Sequence, residues 1–132
     1  MTGTIFRKGT LLILSGPVEH LHIVMNDPVY SHEHGWDGVL AVNISSIKPG
    51  IYHDPSCIVQ PGEHPFVNRD SWVVYKEAVV MQCDRLAYKL ASGEVRGHQT
   101  VTDELFANVR AGFDISRMVP QKIKRFIRNN SI

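Results

Sequence analysis

The sequence predicts a mainly β fold, a small β-barrel or strongly bent sheet followed by C-terminal helices. In the first two-thirds, short β-branched and aromatic runs alternate with turns that contain glycine or proline, which is typical of strands. The last third has apolar residues at helical spacing. Because 132 residues suit one core, we expect a single domain over 1–132, with the barrel at about 1–100 and the helices at about 101–128.

The expected strands follow one another between turns such as Asn26-Asp27-Pro28 and Lys48-Pro49-Gly50. They are LLIL at 11–14, HLHIVM at 20–25, VLAVNI at 39–44, CIV at 57–59, WVVY at 72–75 and AVVMQC at 78–83. Their number and brevity favour a barrel or a bent sheet over a flat one. Asp84-Arg85 follows the last strand, where we expect a salt-linked turn.

Two helices are expected after residue 101. Thr102 can cap the first of them, and apolar residues follow at helical spacing until Gly112, where we expect the helix to stop. The second begins near Ser116 or Val119, with Pro120 in the first turn, where proline is tolerated. Its apolar stripe consists of Ile123, Phe126 and Ile127.

Composition limits the functional classes. The chain has 43% hydrophobic and 20% charged residues, and no apolar run approaches the roughly 20 residues of a membrane span. Cys57 and Cys83 form neither a metal-spacing pair nor a disulfide framework, so we expect reduced thiols, a cytoplasmic location and no membrane partner. The net charge of +1 demands no nucleic-acid partner.

The charge is nevertheless uneven along the chain. Five basic residues and no acidic one lie between Arg117 and Arg128. The candidates for contact with nucleic acid are therefore Lys122, Lys124, Arg125 and Arg128, together with Trp36 in its glycine-rich loop. The alternative reading is a solvated helix face with cations near a helix C-terminus.

Histidines are concentrated in one part of the chain, with six of the seven between His20 and His64. His20 and His22 are two apart, so on a strand they point to the same face. With Asp27, His64 and Asn68 they resemble a cupin metal site, although the loop reads Pro-Gly-Glu-His, one residue short of the cupin pattern. A cupin-like metal enzyme is the least favoured alternative, and we expect no metal or other cofactor.

The order of the segments resembles the PemK/MazF-like toxin family. The segments that carry the likeness are GTLLILSG, HLHIVMND, VLAVNISSI, RDSWVVY and DELFANVRAGF. Members of that family have an SH3-like β-barrel with a C-terminal helix, are usually dimeric, and include many sequence-selective RNA endonucleases. The resemblance implies a homodimer that cleaves single-stranded RNA without a metal ion and that binds a cognate antitoxin or another protein.

The resemblance also suggests where the chemistry would lie. Family ribonucleases commonly use an arginine near the start of the second strand and a Thr or Ser after the third. Here the first position reads His20-Leu21-His22, with no arginine, and the second matches Ser45-Ser46. Histidine can act as acid or base, serine as a donor, and Arg69 as a bidentate phosphate ligand. The expected catalytic residues are His20, His22, Ser45, Ser46, His64 and Arg69.

A barrel of the same fold can be a non-catalytic module that binds protein or nucleic acid through the 28–38 loop or the basic C-terminal helix.

In the stretch PGEHPFVNRDSWVVYKEA, we expect Phe66 to pack inward and Asp70-Ser71 to lead into a buried strand. His64, Asn68 and Arg69 are functional candidates there if the loop folds back towards His20 and His22.

Overall fold

A computed structural model describes residues 5–132, and residues 1–4 of the expected domain lie outside this range. The described chain is mainly β, as predicted, and has three α-helices, one more than the two expected. The strands are β1 (Thr10–Ser15), β2 (Val18–Val24), β3 (Val29–Ser31), β4 (Trp36–Ser46), β5 (Ile58–Val59), β6 (Ser71–Val73), β7 (Val79–Gln82) and β8 (Arg96–His98). The helices are α1 (Cys83–Ser92), α2 (Asp103–Ile115) and α3 (Gln121–Asn129).

All eight strands belong to one antiparallel sheet that is organised around β4. The order is β5-β6-β4-β2-β1-β8, while β3 and β7 pair with the first half of β4. The second half of β4 pairs with β2 and β6 instead, so this strand serves two parts of the sheet. Within residues 5–132 no ladder joins β5 to β8, so the sheet is open and does not close into a barrel.

The two faces of the sheet bury different apolar clusters, because alternate residues of a strand point to opposite sides. We call the face that packs against α2 and α3 the inner face. There Leu21 and Leu40 lie in one cluster with Phe113 and Phe126. On the outer face, a smaller cluster surrounds Leu86 of α1 and is completed by Leu11, Val24, Val39 and Val95.

Helix α2 begins as the sequence predicts, since Thr102 Oγ1 accepts a hydrogen bond from the Leu105 amide at 3.1 Å. The expected stop at Gly112 is wrong, because the helix continues to Ile115. Gly112 has another purpose. A Cβ atom there would lie 1.8 Å from the hydroxyl oxygen of Tyr75, which is fully buried and donates to the Val109 carbonyl at 2.7 Å. The glycine therefore makes room for the tyrosine.

The expected turn at Asp84-Arg85 is also wrong, because both residues lie in the first turn of α1. The helix is amphipathic, buries Leu86 against the outer face, and ends at Gly93 with a φ of 82°. α3 begins at Gln121, later than the expected start near Ser116 or Val119, so Pro120 precedes its first turn; it buries Ile123 and Phe126 of the expected apolar stripe. None of the helices in the described part of the chain has the length and apolarity that crossing a membrane requires.

Candidate functional site

A cleft of about 470 Å³ opens where β2 and β4 part. The last residue pair between these strands is Leu21 with Ile44. Beyond Ile44, β4 continues to pair with β6 along its other edge. The start of β2 and the end of β4 are therefore not hydrogen-bonded to each other, and residues 65–69 border the gap. The lining side chains that can bind an anion or transfer a proton include His20, Ser45, Ser46, Lys48, Asn68, Arg69 and His98.

Four of the six expected catalytic residues line this cleft, namely His20, Ser45, Ser46 and Arg69. The loop that carries Arg69 borders the same cleft as His20 of β2, and hydrogen bonds fix the end of the loop beside β4. The Ile47 amide donates to the Asp70 carbonyl at 3.0 Å, and Ser71 Oγ donates to the Arg69 carbonyl at 2.9 Å. Phe66 packs against the core and Ser71 opens β6, as the sequence predicts.

His22 lies two residues beyond His20 on the outer face of β2 and is half-buried. Its Nδ1 lies 3.1 Å from the carbonyl oxygen of His20. Because a carbonyl oxygen only accepts hydrogen bonds, Nδ1 carries the hydrogen, and Nε2 of the neutral ring keeps a lone pair. Burial lowers the pKa of His22, and this bond to the carbonyl only partly opposes the shift. The ring is therefore neutral at physiological pH.

A polar cluster surrounds His22 on the outer face. Its cross-strand partner is Asn43, whose Nδ2 donates to Glu77 Oε1 at 3.1 Å. Two buried atoms, His20 Nδ1 and Asn43 Oδ1, make no hydrogen bond to any described residue. A buried polar atom without a partner costs about 1–3 kcal/mol, so each of these two atoms needs an explanation, and a place at a functional site is one. We therefore consider the polar region behind His20 together with the cleft.

His64, the fifth expected residue, lies outside the cleft lining and is only 2% exposed. Its Nε2 lies 2.7 Å from the Gln99 carbonyl oxygen, and its Nδ1 accepts a hydrogen bond from the Phe66 amide at 3.1 Å. Both ring nitrogens are therefore occupied by backbone groups. Burial lowers the pKa of His64, despite the bond to Gln99, and keeps the ring neutral. These contacts describe a histidine that holds the 64–66 loop against the segment after β8.

His98 was missed by sequence reasoning. It ends β8, pairs with Thr10 of β1, and lines the cleft. The Gln99 amide donates to its Nδ1 at 2.8 Å, so in the neutral ring Nε2 carries the hydrogen. His98 is the one histidine outside the 20–64 cluster, and the three residues of β8 have no apolar alternation that would predict a strand. The sequence feature that could have drawn attention to His98 is its separation from the other six histidines.

The residues expected to contact nucleic acid lie on other surfaces. Trp36 lines a separate groove beside Arg85 and Leu86 of α1, and its ring centre is 4.6 Å from that of His34. Arg125 of α3 makes two bonds to Glu33, from Nε at 3.1 Å and from Nη2 at 2.7 Å. The exposed residues of the basic face are Lys122, Lys124 and Arg128. None of these residues lines the cleft.

The structure offers no support for the cupin-like alternative. Among residues 5–132, no group of three or more His, Cys, Asp or Glu side chains is placed to hold a metal ion. His20, His22 and His64 do not form such a group, and both ring nitrogens of His64 bond to backbone.

Comparison with known proteins gives no protein-family model that matches the chain and no matching curated protein. The side chains of the cleft themselves indicate which chemistry it can carry out. Arg69 and Lys48 can bind anions, Ser45 and Ser46 can donate hydrogen bonds, and the imidazole groups can transfer protons. This is a set suited to a phosphate ester.

Proposed function

We propose that this protein is a PemK/MazF-like toxin-type endoribonuclease that cleaves single-stranded RNA without a metal ion. The observation that carries the proposal is that His20, Ser45, Ser46 and Arg69 line one cleft together with Lys48 and His98. Metal-independent cleavage of RNA needs a base for the 2′-hydroxyl, an acid for the leaving oxygen, and cations or donors for the charge on phosphorus. The cleft holds side chains for each of these roles.

In the proposed reaction, His20 takes the proton of the 2′-hydroxyl while the 2′-oxygen attacks phosphorus. The bond from phosphorus to the 5′-oxygen breaks, and that oxygen takes the Nε2 proton of a His98 ring that has first released the Gln99 amide and taken up a second proton at Nδ1. The products are a 2′,3′-cyclic phosphate and a 5′-hydroxyl, and solvent returns the two histidines to their starting states. A neutral His22 adds no positive charge beside His20 when that ring accepts the proton.

Arg69 and Lys48 bind the phosphate in this scheme. A guanidinium group can give two parallel hydrogen bonds to phosphate oxygens, and both side chains are exposed at the edge of the cleft. Ser45 and Ser46 are adjacent on β4, so their side chains point to opposite faces of the strand. At most one of the two hydroxyls therefore donates to a given phosphate oxygen.

The proposal extends to the setting that the segment order implies. It includes a homodimer, a cognate antitoxin or another protein as partner, and a cytoplasmic location. The support for these parts is the likeness of the five segments to the PemK/MazF-like pattern. The exposed apolar residues of the β1–β2 hairpin, Leu14 and Val18, are surface that a protein partner could cover.

The test is incubation of the full chain with end-labelled single-stranded RNA in EDTA. We expect cleavage by the unaltered protein, and a loss of about 100-fold or more in rate for His20→Ala. His32→Ala, at an exposed histidine outside the cleft lining, is the matched control and should cleave normally. RNA that stays intact would contradict the proposal, and binding without cleavage would favour the non-catalytic module. Equal cleavage by His20→Ala would remove the assigned base.

A further inference from the structure

We propose that the surface beside the cleft formed by Tyr52, His53 and Trp72 is a subsite on which unpaired bases of RNA stack. We call these three residues the aromatic strip. The inference deepens the proposed function and rests on it, because it names the part of the RNA that is recognised next to the cleft.

The position of Trp72 joins the strip to the cleft. In the sheet, Trp72 of β6 is the cross-strand partner of Ser45 on one side and of Ile58 on the other. Cross-strand partners share a face of an antiparallel sheet, so the indole lies on the same face as the Ser45 side chain, and Ser45 lines the cleft. The His53 ring is 6.2 Å from the Trp72 ring at an angle of 56°.

Tyr52 precedes His53 in the chain and is the most exposed residue of the strip. Its side chain is 71% exposed, beside Ile51 at 64%, which is unusual for an aromatic and an aliphatic residue in sequence. Neighbouring exposed apolar side chains rimmed by polar residues are typical of an interaction surface. The ring is free to present a flat face to a ligand.

The loop that carries Tyr52 is anchored at both ends. On one side, the Ile51 amide donates to the Lys48 carbonyl at 3.2 Å across a turn in which Gly50 has a φ of 75°. On the other side, buried Asp54 accepts hydrogen bonds from Ser56 Oγ at 2.6 Å and from Ser116 Oγ at 2.5 Å. A ring presented by an anchored loop loses less conformational freedom on binding.

Charge and continuity favour RNA as the occupant over a protein. Lys48 belongs to the same loop as Tyr52 and lines the cleft, so the loop that carries the exposed ring also supplies a phosphate-binding cation. Proteins that bind single-stranded nucleic acids combine cations, which contact the backbone, with aromatic rings, on which the bases stack. Because paired bases do not expose their faces, the strip should select unpaired RNA over a duplex.

The experiment measures binding of an uncleavable probe, a short fluorescein-labelled 2′-O-methyl RNA, by fluorescence anisotropy. We expect Tyr52→Ala to weaken binding of the single strand about tenfold and Tyr52→Phe, the matched control, to bind within about twofold of the unaltered chain. In a Trp36→Phe variant, Trp72 is the remaining tryptophan, and its emission should be quenched by the single strand and not by the duplex.

Unchanged binding by Tyr52→Ala together with unquenched Trp72 emission would overturn the subsite. Cleavage of ordinary RNA by the same preparation would then leave the proposed ribonuclease intact. A change in oligomeric state on Tyr52→Ala, with the affinity for RNA unaltered, would also overturn the inference and assign the strip to contact with a second copy. Absence of any RNA binding or cleavage by the unaltered chain would overturn both proposals.

Discussion

His22 Nδ1 lies 3.1 Å from the backbone carbonyl oxygen of His20, so the second histidine of β2 is oriented by the first. The contact fixes the tautomer of His22, and burial keeps the ring neutral at physiological pH. His20 lines the cleft, whereas His22 lies behind it beside Asn43. The two histidines of β2 therefore differ in position, since one lines the cleft and the other supports it from behind.

The titration of His22 should reflect this environment. We expect an NMR midpoint below the usual 6.5, because burial lowers the pKa, and a still lower midpoint in Glu77→Gln, which removes a negative charge that favours the protonated ring. Since the folded-state pKa is depressed, the contribution of His22 to stability is present above about pH 6.5 and is lost as the pH falls through the folded value. Glu94→Gln, an exposed change on another surface, should not move the midpoint. A midpoint at or above 6.5 would be inconsistent with this description.

His64 should matter for stability and not for chemistry. Truncation in His64→Ala leaves the Gln99 carbonyl and the Phe66 amide without their partner and opens a cavity, so we expect a loss of about 3–5 kcal/mol in the free energy of unfolding by urea. His32→Ala, at an exposed site, should change it by less than about 0.5 kcal/mol. A His64→Ala protein that is fully stable but has lost RNA cleavage would instead return His64 to the catalytic set.

The contact of Asp54 with Ser116 should tie the loop of Tyr52 to the end of α2. Burial opposes ionisation of Asp54, but the hydrogen bonds from Ser116 and Ser56 outweigh it and lower its pKa below the usual 3.8. Ser116→Ala removes a bond to a charged acceptor, so we expect a loss of about 1.5–3 kcal/mol at neutral pH.

The pH dependence of the stability lost in Ser116→Ala tests whether Asp54 is ionised. Because the folded-state pKa of Asp54 is depressed, its contribution is present above about pH 3.8 and is lost as the pH falls through the folded value. The difference between Ser116→Ala and the unaltered protein should therefore shrink in acid unfolding measurements. Ser92→Ala, at an exposed serine of α1, should show no such dependence. An equal difference at all pH values would exclude an ionised Asp54.

Gly112 should not tolerate a side chain. In an exposed helix position alanine is more favourable than glycine by about 1 kcal/mol, but here the new Cβ would overlap the Tyr75 hydroxyl. We expect Gly112→Ala to destabilise the protein by about 3 kcal/mol or more in urea unfolding. Ala107→Gly, on the exposed side of the same helix, should cost only about 1 kcal/mol. Stabilisation by Gly112→Ala would show that Tyr75 is packed differently.

Much of the fold could be predicted because its local signals agree. The short apolar runs between turns mark β1, β2 and β4, and Thr102 marks the start of α2. Helix α1 was missed because it follows β7 without a break and its N-cap, Gln82, makes no side-chain capping bond. The open sheet and the continuation of α2 past Gly112 depend on long-range contacts, which residue types alone do not reveal.

The candidate site was only partly predictable for the same reason. His20, Ser45, Ser46 and Arg69 were chosen by residue type, and they line one cleft because β2 stops pairing with β4 after Ile44 while β6 pairs along the other edge of β4. The partners of His64 include Gln99, 35 positions away, so its burial could not be foreseen. His98 lies at the cleft because it ends β8, and that strand is too short to be predicted from the sequence.

The chemistry of the cut ends tests the proposed ribonuclease most directly. The full chain is incubated in EDTA with a single-stranded RNA and with its 2′-O-methyl counterpart, and the products are identified by mass spectrometry. Attack by the 2′-oxygen predicts fragments that end in a 2′,3′-cyclic phosphate and a 5′-hydroxyl, and an intact 2′-O-methyl strand. Cleavage of the 2′-O-methyl strand, fragments that begin with a 5′-phosphate, or no cleavage of either strand would contradict metal-independent catalysis by the cleft of His20 and Arg69.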